Sequence, residues 1–297
     1  MAACLVVPIS ALLATSTVSY ARLRGAQLPT ISQSPGCLNT ALGEQPGCTF
    51  SHRGDRGTLA VIGDSDARQF VPALLVIAKE LHLRLMVAAA DDCPFVRLAL
   101  LFPPPEGLTS THKCSAFVSR SLAVALRLRP ALVVVADRNA WYIEERDKVL
   151  ATTPASADRT SDPSQKARLW QKGLEGVLDP LVKRSVPVLF VDSIPEHPGW
   201  ALAACSALSI RDHSCRRADT RANVEKRRAR ALGAGRAALK NFPGIAEVDL
   251  ANAICHNRTC PTFAHGTWIY ADAGHLTVAG ALSVTQPLER AIRNALH

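Results

Sequence analysis

Three short segments of the chain carry residue types that chemistry needs. The first is Gly63-Asp64-Ser65-Asp66-Ala67, directly after the apolar run Leu59-Ala60-Val61-Ile62. A glycine permits a tight bend from strand to helix, and a serine just beyond it presents a hydroxyl at a helix N-terminus. Free N–H groups and the helix dipole there can stabilise an oxyanion on an attacked carbonyl, with the Ser65 N–H among the donors. The second segment is Asp272-Ala273-Gly274-His275-Leu276-Thr277. His275 can take a proton from Ser65 while Asp272 holds the other ring nitrogen and stabilises the imidazolium that forms. The third is Asp137-Arg138-Asn139-Ala140-Trp141, where the Asn139 amide offers a further oxyanion donor without a titrating charge. Taken singly, these segments also read as a helix N-cap, a solvated helix start and a plain turn.

What joins them is the order of elements around them. Short β-branched or apolar runs alternate with helical stretches: strands are expected at 58–62, 83–88, 131–136, 186–191 and 245–250. Helices are expected at 67–81, 116–128, 164–183 and 217–240, with a last one at 277–296 interrupted at Pro287. Strands followed by helices predict an α/β fold, a three-layer αβα sandwich on a five-stranded parallel sheet, because parallel neighbours need right-handed crossovers that put helices on both faces. Runs such as Leu132-Val133-Val134-Val135 suit strands buried on both sides. Ligands of such sheets sit beyond the carboxyl ends of the strands, which is where all three segments fall.

The chain has 297 residues, 48% hydrophobic and 20% charged, enough for a sizeable core and unlike a disordered or collagen-like polymer. Residues 1–21 are uncharged and apolar and end Val18-Ser19-Tyr20-Ala21, which reads as a signal peptide or a membrane anchor. Residues 22–57 are rich in Pro, Gly, Ser and Thr and read as an irregular lead-in, leaving 58–297 as the catalytic domain.

Apart from Cys4, the nine cysteines fall in close pairs: Cys37 with Cys48, Cys93 with Cys114, Cys205 with Cys215, and Cys255 with Cys260. Four short-range disulfides fit an oxidising compartment. Cys255, His256, Cys260 and His265 could instead ligate zinc, but their spacing matches no common zinc module, and the other pairs lack histidines, so no metal site is expected. Between Arg211 and Lys240 ten basic residues face Asp212, Asp219 and Glu225, much of the net charge of +9. No aromatic residues interleave with them, so a solvated face is expected and no nucleic-acid partner.

Ala60-Val61-Ile62-Gly63-Asp64-Ser65, Asp272-x-x-His275-Leu276-Thr277 about 200 residues later, and the supporting run Pro187–Pro195 with the Cys205–Cys215 segment together resemble the SGNH (GDSL-like) hydrolase superfamily. More narrowly, they resemble the extracytoplasmic SGNH domain attached to actinobacterial acyltransferase-3 type membrane enzymes, over Thr58 to the end. The resemblance implies a flavodoxin-like sandwich with Ser65, His275 and Asp272 as catalytic residues, Ser65 and Asn139 in the oxyanion hole, and no cofactor. It implies an exported esterase or O-acyltransferase acting on acyl, chiefly acetyl, esters of cell-envelope glycans or glycolipids, with a membrane acyltransferase as partner. Asp66, Arg68 and Arg138 are expected to meet substrate. The chain departs from the pattern in three places, one of them at the asparagine block, where Asp137 or Arg138 stands in place of the usual glycine before Asn139. In the other two, Ala88-Ala89-Ala90-Asp91-Asp92-Cys93-Pro94 holds no glycine for the second oxyanion donor, and Asp66 stands where the attached domains often have histidine. The missing glycine motivates the rival expectation of a catalytically weak module that binds glycan or serves the membrane partner.

Overall fold

The computed structural model describes residues 37, 39–101, 107–206, 208–209 and 213–297. The expected leader at 1–21, with Cys4, lies outside them.

The central sheet has six strands: β1 (Thr49–Phe50), β2 (Gly57–Gly63), β3 (Leu83–Ala89), β4 (Leu132–Ala136), β5 (Val188–Val191) and β6 (Ala246–Val248). Their spatial order is β1-β3-β2-β4-β5-β6. β2 to β6 are mutually parallel, while β1 adds to the β3 edge antiparallel, Thr49 opposite Met86. The five parallel strands are those expected from the sequence. The sixth comes from the segment read as an irregular lead-in, which is stapled by Cys37–Cys48 and also bridges Thr40 to Ala89.

Alternate residues along each strand feed two separate cores. Ala60, Ile62, Val133 and Val135 pack with Trp170, Leu174 and Phe117 on one face. Leu59, Val61, Leu132 and Val134 pack with Leu74, Ile77, Leu288 and Ile292 on the other. Helices α1 (Ser65–Gln69), α2 (Val71–Glu80), α8 (Val278–Ser283) and α9 (Thr285–Ala295) contribute to the second face; α3 (Gly107–Leu128), α4 (Asn139–Glu144), α5 (Pro163–Lys183) and α6 (Arg221–Leu239) contribute to the first. A short α7 (Ala251–Ile254) follows β6.

Several expected helices begin or break elsewhere, each for a local reason. The single helix expected at 67–81 is two, parted at Phe70, because Pro72 lacks an N–H and fits only a first turn. The basic helix starts at Arg221 because Thr220 caps it through the Asn223 N–H, and Ala218–Thr220 pairs instead with Thr259–Pro261. The last helix breaks at Val284, so that Pro287 falls in the first turn of α9. α3 begins at Gly107, earlier than 116.

Most of the basic charge on α6 is spent within the molecule. Arg221 and Arg228 pair with Glu225, Arg228 also with Asp249, Arg227 with Asp219, Arg230 with Glu144 and Arg236 with Glu247.

Candidate active site

Gly63 ends β2 opposite Ala136 of β4, and the two backbones meet so closely that any Cβ on Gly63 would overlap the Ala136 carbonyl oxygen. Glycine here is a matter of space, and it lets the chain turn sharply into α1 at the point where the strand order reverses. Asp64 caps α1, its carboxylate accepting from the Asp66 N–H at 2.8 Å and from the Arg138 N–H at 3.0 Å. Asp137, after β4, returns the link by accepting from the Asp64 and Phe95 N–H groups. The three sheet-edge loops that follow β2, β3 and β4 are thus tied together beneath Ser65. Burial raises the pKa of both carboxyls, Asp137 well above the ordinary range.

The candidate base, His275, comes from the far end of the chain. Tyr270 and Leu276 bridge the turn Asp272–His275 at its base, and the Leu276 N–H donates to the buried Gln69 Oε1 at 2.7 Å, fastening this turn to α1. The result is a relay of three side chains. His275 Nε2 is 2.7 Å from Ser65 Oγ, and His275 Nδ1 is 2.9 Å from each Asp272 carboxylate oxygen. The Asp272 carboxylate also accepts from the Gly274 and His275 N–H groups, so the turn itself fixes the orienting acid.

The electrostatics suit a serine and base. Burial works against charge on Asp272, but the His275 hydrogen bond and charge and the turn's N–H donors outweigh it and hold its pKa at about 2. Burial likewise disfavours the imidazolium of His275, yet the Asp272 hydrogen bond and the charges of Asp66 and Asp272 outweigh it and raise its pKa. Nδ1 faces a carboxylate, which leaves Nε2 unprotonated toward the serine hydroxyl in the neutral ring.

The other expected site residues fall around this relay. Asn139 opens α4, fully buried, and neither its amide nitrogen nor its amide oxygen has a hydrogen-bond partner among the described residues. A buried amide without a protein partner is costly unless something else meets it. Asp66 is buried, with Oδ1 4.0 Å from His275 Nε2, and burial followed by the Asp64 charge raises its pKa well above the ordinary range. Arg68 pairs with Asp91 at 2.6 Å, and Arg138 pairs with Glu196, so both expected substrate contacts are already engaged by acids.

The loop after β3 holds no glycine. Asp92 adopts a φ of 58°, the left-handed region that glycine favours, so an aspartate occupies the glycine-like position. The Ala90, Asp91 and Cys93 N–H groups are bound to Gly63 O, Asn39 Oδ1 and Ala90 O, whereas no hydrogen bond engages the Asp92 N–H among the described residues. Composition hid this donor, because a backbone N–H carries no side-chain signature. Cys93–Cys114 anchors the loop to α3, and the other three expected disulfides are likewise formed. Cys255 and Cys260 are thereby committed to each other, and no metal-binding cluster is found among the described residues. Beside the loop opens a cavity of about 860 Å³, lined among others by Asp92, His112, Lys113, Phe117, Trp141 and Lys148.

Comparison with known proteins places the fold and the family. Among solved structures, the periplasmic domain of the lipopolysaccharide acetyltransferase of Salmonella ser. Paratyphi A superposes with a TM-score of 0.59 at 13% identity, over 94% of this chain and 98% of that one. A GDSL-like lipase from Bacteroides thetaiotaomicron VPI-5482 aligns at 11% identity over 80% of this chain and 87% of its own, with a TM-score of 0.40. No curated protein matches the sequence. The family model described as SGNH domain (fused to AT3 domains) matches residues 36–290, and the chain therefore belongs to the SGNH family of domains found fused to AT3 domains.

Proposed function

We propose that this protein is a serine-dependent esterase or O-acyltransferase that works through an acyl-enzyme on Ser65. The carrying observation is the hydrogen-bonded series Ser65 Oγ, His275 Nε2, His275 Nδ1, Asp272, from two segments 210 residues apart. His275 removes the Ser65 proton as Oγ attacks the ester carbonyl, and the imidazolium then gives that proton to the leaving alkoxide. A second hydroxyl, of water or a sugar, loses its proton to His275 as it attacks the acyl-enzyme, and His275 passes that proton to Ser65 Oγ as the acyl–oxygen bond to Ser65 breaks. The oxyanion is met by the Ser65 N–H, the Asn139 amide and the Asp92 N–H, the last standing in for the absent glycine.

Membership in a family fused to AT3 domains, and likeness to a lipopolysaccharide acetyltransferase domain, support an acylated glycan or glycolipid substrate and a membrane acyltransferase partner. Four disulfides support an extracytoplasmic site of action. The cavity lined by Asp92 and Trp141, beside the loop that carries the Asp92 N–H, has the size of a ligand site and supports an organic substrate. The test is release of acetate from O-acetylated oligosaccharides, with and without a free sugar acceptor. Release or transfer that Ser65→Ala abolishes is expected; release that survives Ser65→Ala would refute the reading.

A further inference from the structure

Arg138 sits where a substrate anion could be met, but its guanidinium already holds a carboxylate. Nε and Nη2 donate to the two carboxylate oxygens of Glu196 at 2.9 and 3.1 Å, a bidentate pair in which both side chains are about 15% exposed or less. The face of the guanidinium lies on Gly274, so closely that a Cβ at Gly274 would overlap the guanidinium carbon. Gly274 is the residue between the two halves of the base turn, one before His275. The same arginine's backbone N–H donates to Asp64, one residue before the nucleophile.

Glu196 is held in turn from behind. The Arg227 guanidinium donates to its carbonyl at 2.7 Å and to Asp219 at 2.9 Å. The next residue, His197, is buried, pairs with Asp219 through Nδ1, and donates its own backbone N–H to the Ala273 carbonyl at 2.6 Å. The base turn is thus gripped twice by one segment: at Ala273 by the His197 backbone, and at Gly274 by the arginine that Glu196 fixes.

We propose that Arg138 and Glu196 are positioning residues, a clasp that holds the Asp272–His275 turn on the nucleophile and balances the charge around the base, and not a subsite for substrate. The inference rests on the Ser65–His275 reading of the site. Fixing a general base within a few tenths of an ångström matters because a small misplacement costs large factors in rate. The charge balance matters because His275 faces several carboxylates: Asp272 in its own turn, Asp66 on α1, Asp64 after β2 and Asp92 after β3, with Arg138 the opposing cation. A clasp of opposite charges sets this field only while both members are present.

The clasp makes a signed prediction. Arg138→Ala removes a cation and leaves Glu196 uncompensated, so the imidazolium of His275 becomes more favourable and its pKa rises. Glu196→Gln keeps the shape but leaves Arg138 uncompensated, so the pKa falls. The experiment is a pair of readings on the full chain: an imidazole nitrogen NMR titration of His275, which needs no turnover, and the pH profile of p-nitrophenyl acetate hydrolysis. Opposite shifts of the His275 pKa are expected, with kcat lowered about tenfold to a hundredfold in each variant and KM within about twofold of the parent. Arg138→Lys, which keeps the charge but loses the fork, is expected to lower kcat with the smallest pKa shift. A raised KM with kcat retained in Arg138→Ala would overturn the clasp in favour of a substrate contact. Shifts of the same sign, or none, would overturn the charge balance, and Glu196→Gln supplies this reading even where Arg138→Ala fails to fold. Failure of the parent to hydrolyse any ester would count against the Ser65 reading, while the NMR titration would still judge the clasp.

Discussion

Asp66 Oδ1 lies 4.0 Å from His275 Nε2, on the same side of the ring as the serine hydroxyl that Nε2 accepts from at 2.7 Å. The base is therefore flanked by carboxylates at both nitrogens, one bonded and one near. Asp66 raises the His275 pKa, so Asp66→Asn is expected to lower it. Because His275 must be neutral to act as base, activity rises with pH through its pKa, which lies above 6.5 in the parent. The acid limb of the kcat/KM profile should therefore sit above that value and move to lower pH in Asp66→Asn. A limb that stays or moves upward would contradict this electrostatic picture.

The turn that carries Asp272 supplies both the orienter and its own support. Asp272→Asn keeps the size of the side chain but lets His275 adopt the wrong tautomer, and a loss of kcat of roughly 10² to 10⁴ is expected. Steady-state kinetics beside an unchanged circular dichroism spectrum checks it. A variant within threefold of the parent would show that the orienter is dispensable.

Much of this site is legible in the sequence because its side chains announce their chemistry. Ser65, His275 and Asp272 occur at strand ends of an alternating α/β pattern, and hydrophobic runs place those ends on one edge. What escapes notice is carried by backbone or by long-range pairing. The Asp92 N–H, unbonded among the described residues, has no side-chain mark, and the Arg138–Glu196 pair joins residues 58 apart that nothing local relates. β1 was hidden for a similar reason: two residues of an otherwise irregular segment pair because the exposed edge of β3 offers them a template. Ala218–Thr220, expected at the start of the basic helix, pairs instead with Thr259–Pro261, a long-range contact that helix propensity does not show.

Cys93–Cys114 closes a loop 21 residues long and fixes the segment that carries Asp92. Replacing both cysteines with serine is expected to lower stability by about 3 kcal/mol. It should also reduce kcat, because an oxyanion donor on a loosened loop is no longer preorganised. Urea unfolding and kinetics on the same preparation test both parts, and an unchanged kcat would separate the loop from catalysis.

His197 is fully buried, and burial lowers its pKa to about 4 despite the opposing Asp219. An imidazole that stays neutral in the fold but charges when unfolded stabilises the protein fully above pH 6.5. That contribution falls away as the pH drops from there toward about 4. The loss is about 3 kcal/mol at most for a shift of this size. Thermal melts of the parent and His197→Gln across this range should show a steeper decline in the parent; parallel curves would rule His197 out as the source.

The claim on which the account turns is that Ser65 is an activated nucleophile. The most direct measurement is labelling of the purified protein with a fluorophosphonate probe, mapped by mass spectrometry, beside Ser65→Ala and His275→Ala. A single adduct on Ser65, absent in Ser65→Ala and strongly reduced in His275→Ala, is the predicted result. No adduct on a protein whose fold is intact, or an adduct indifferent to His275, would contradict it.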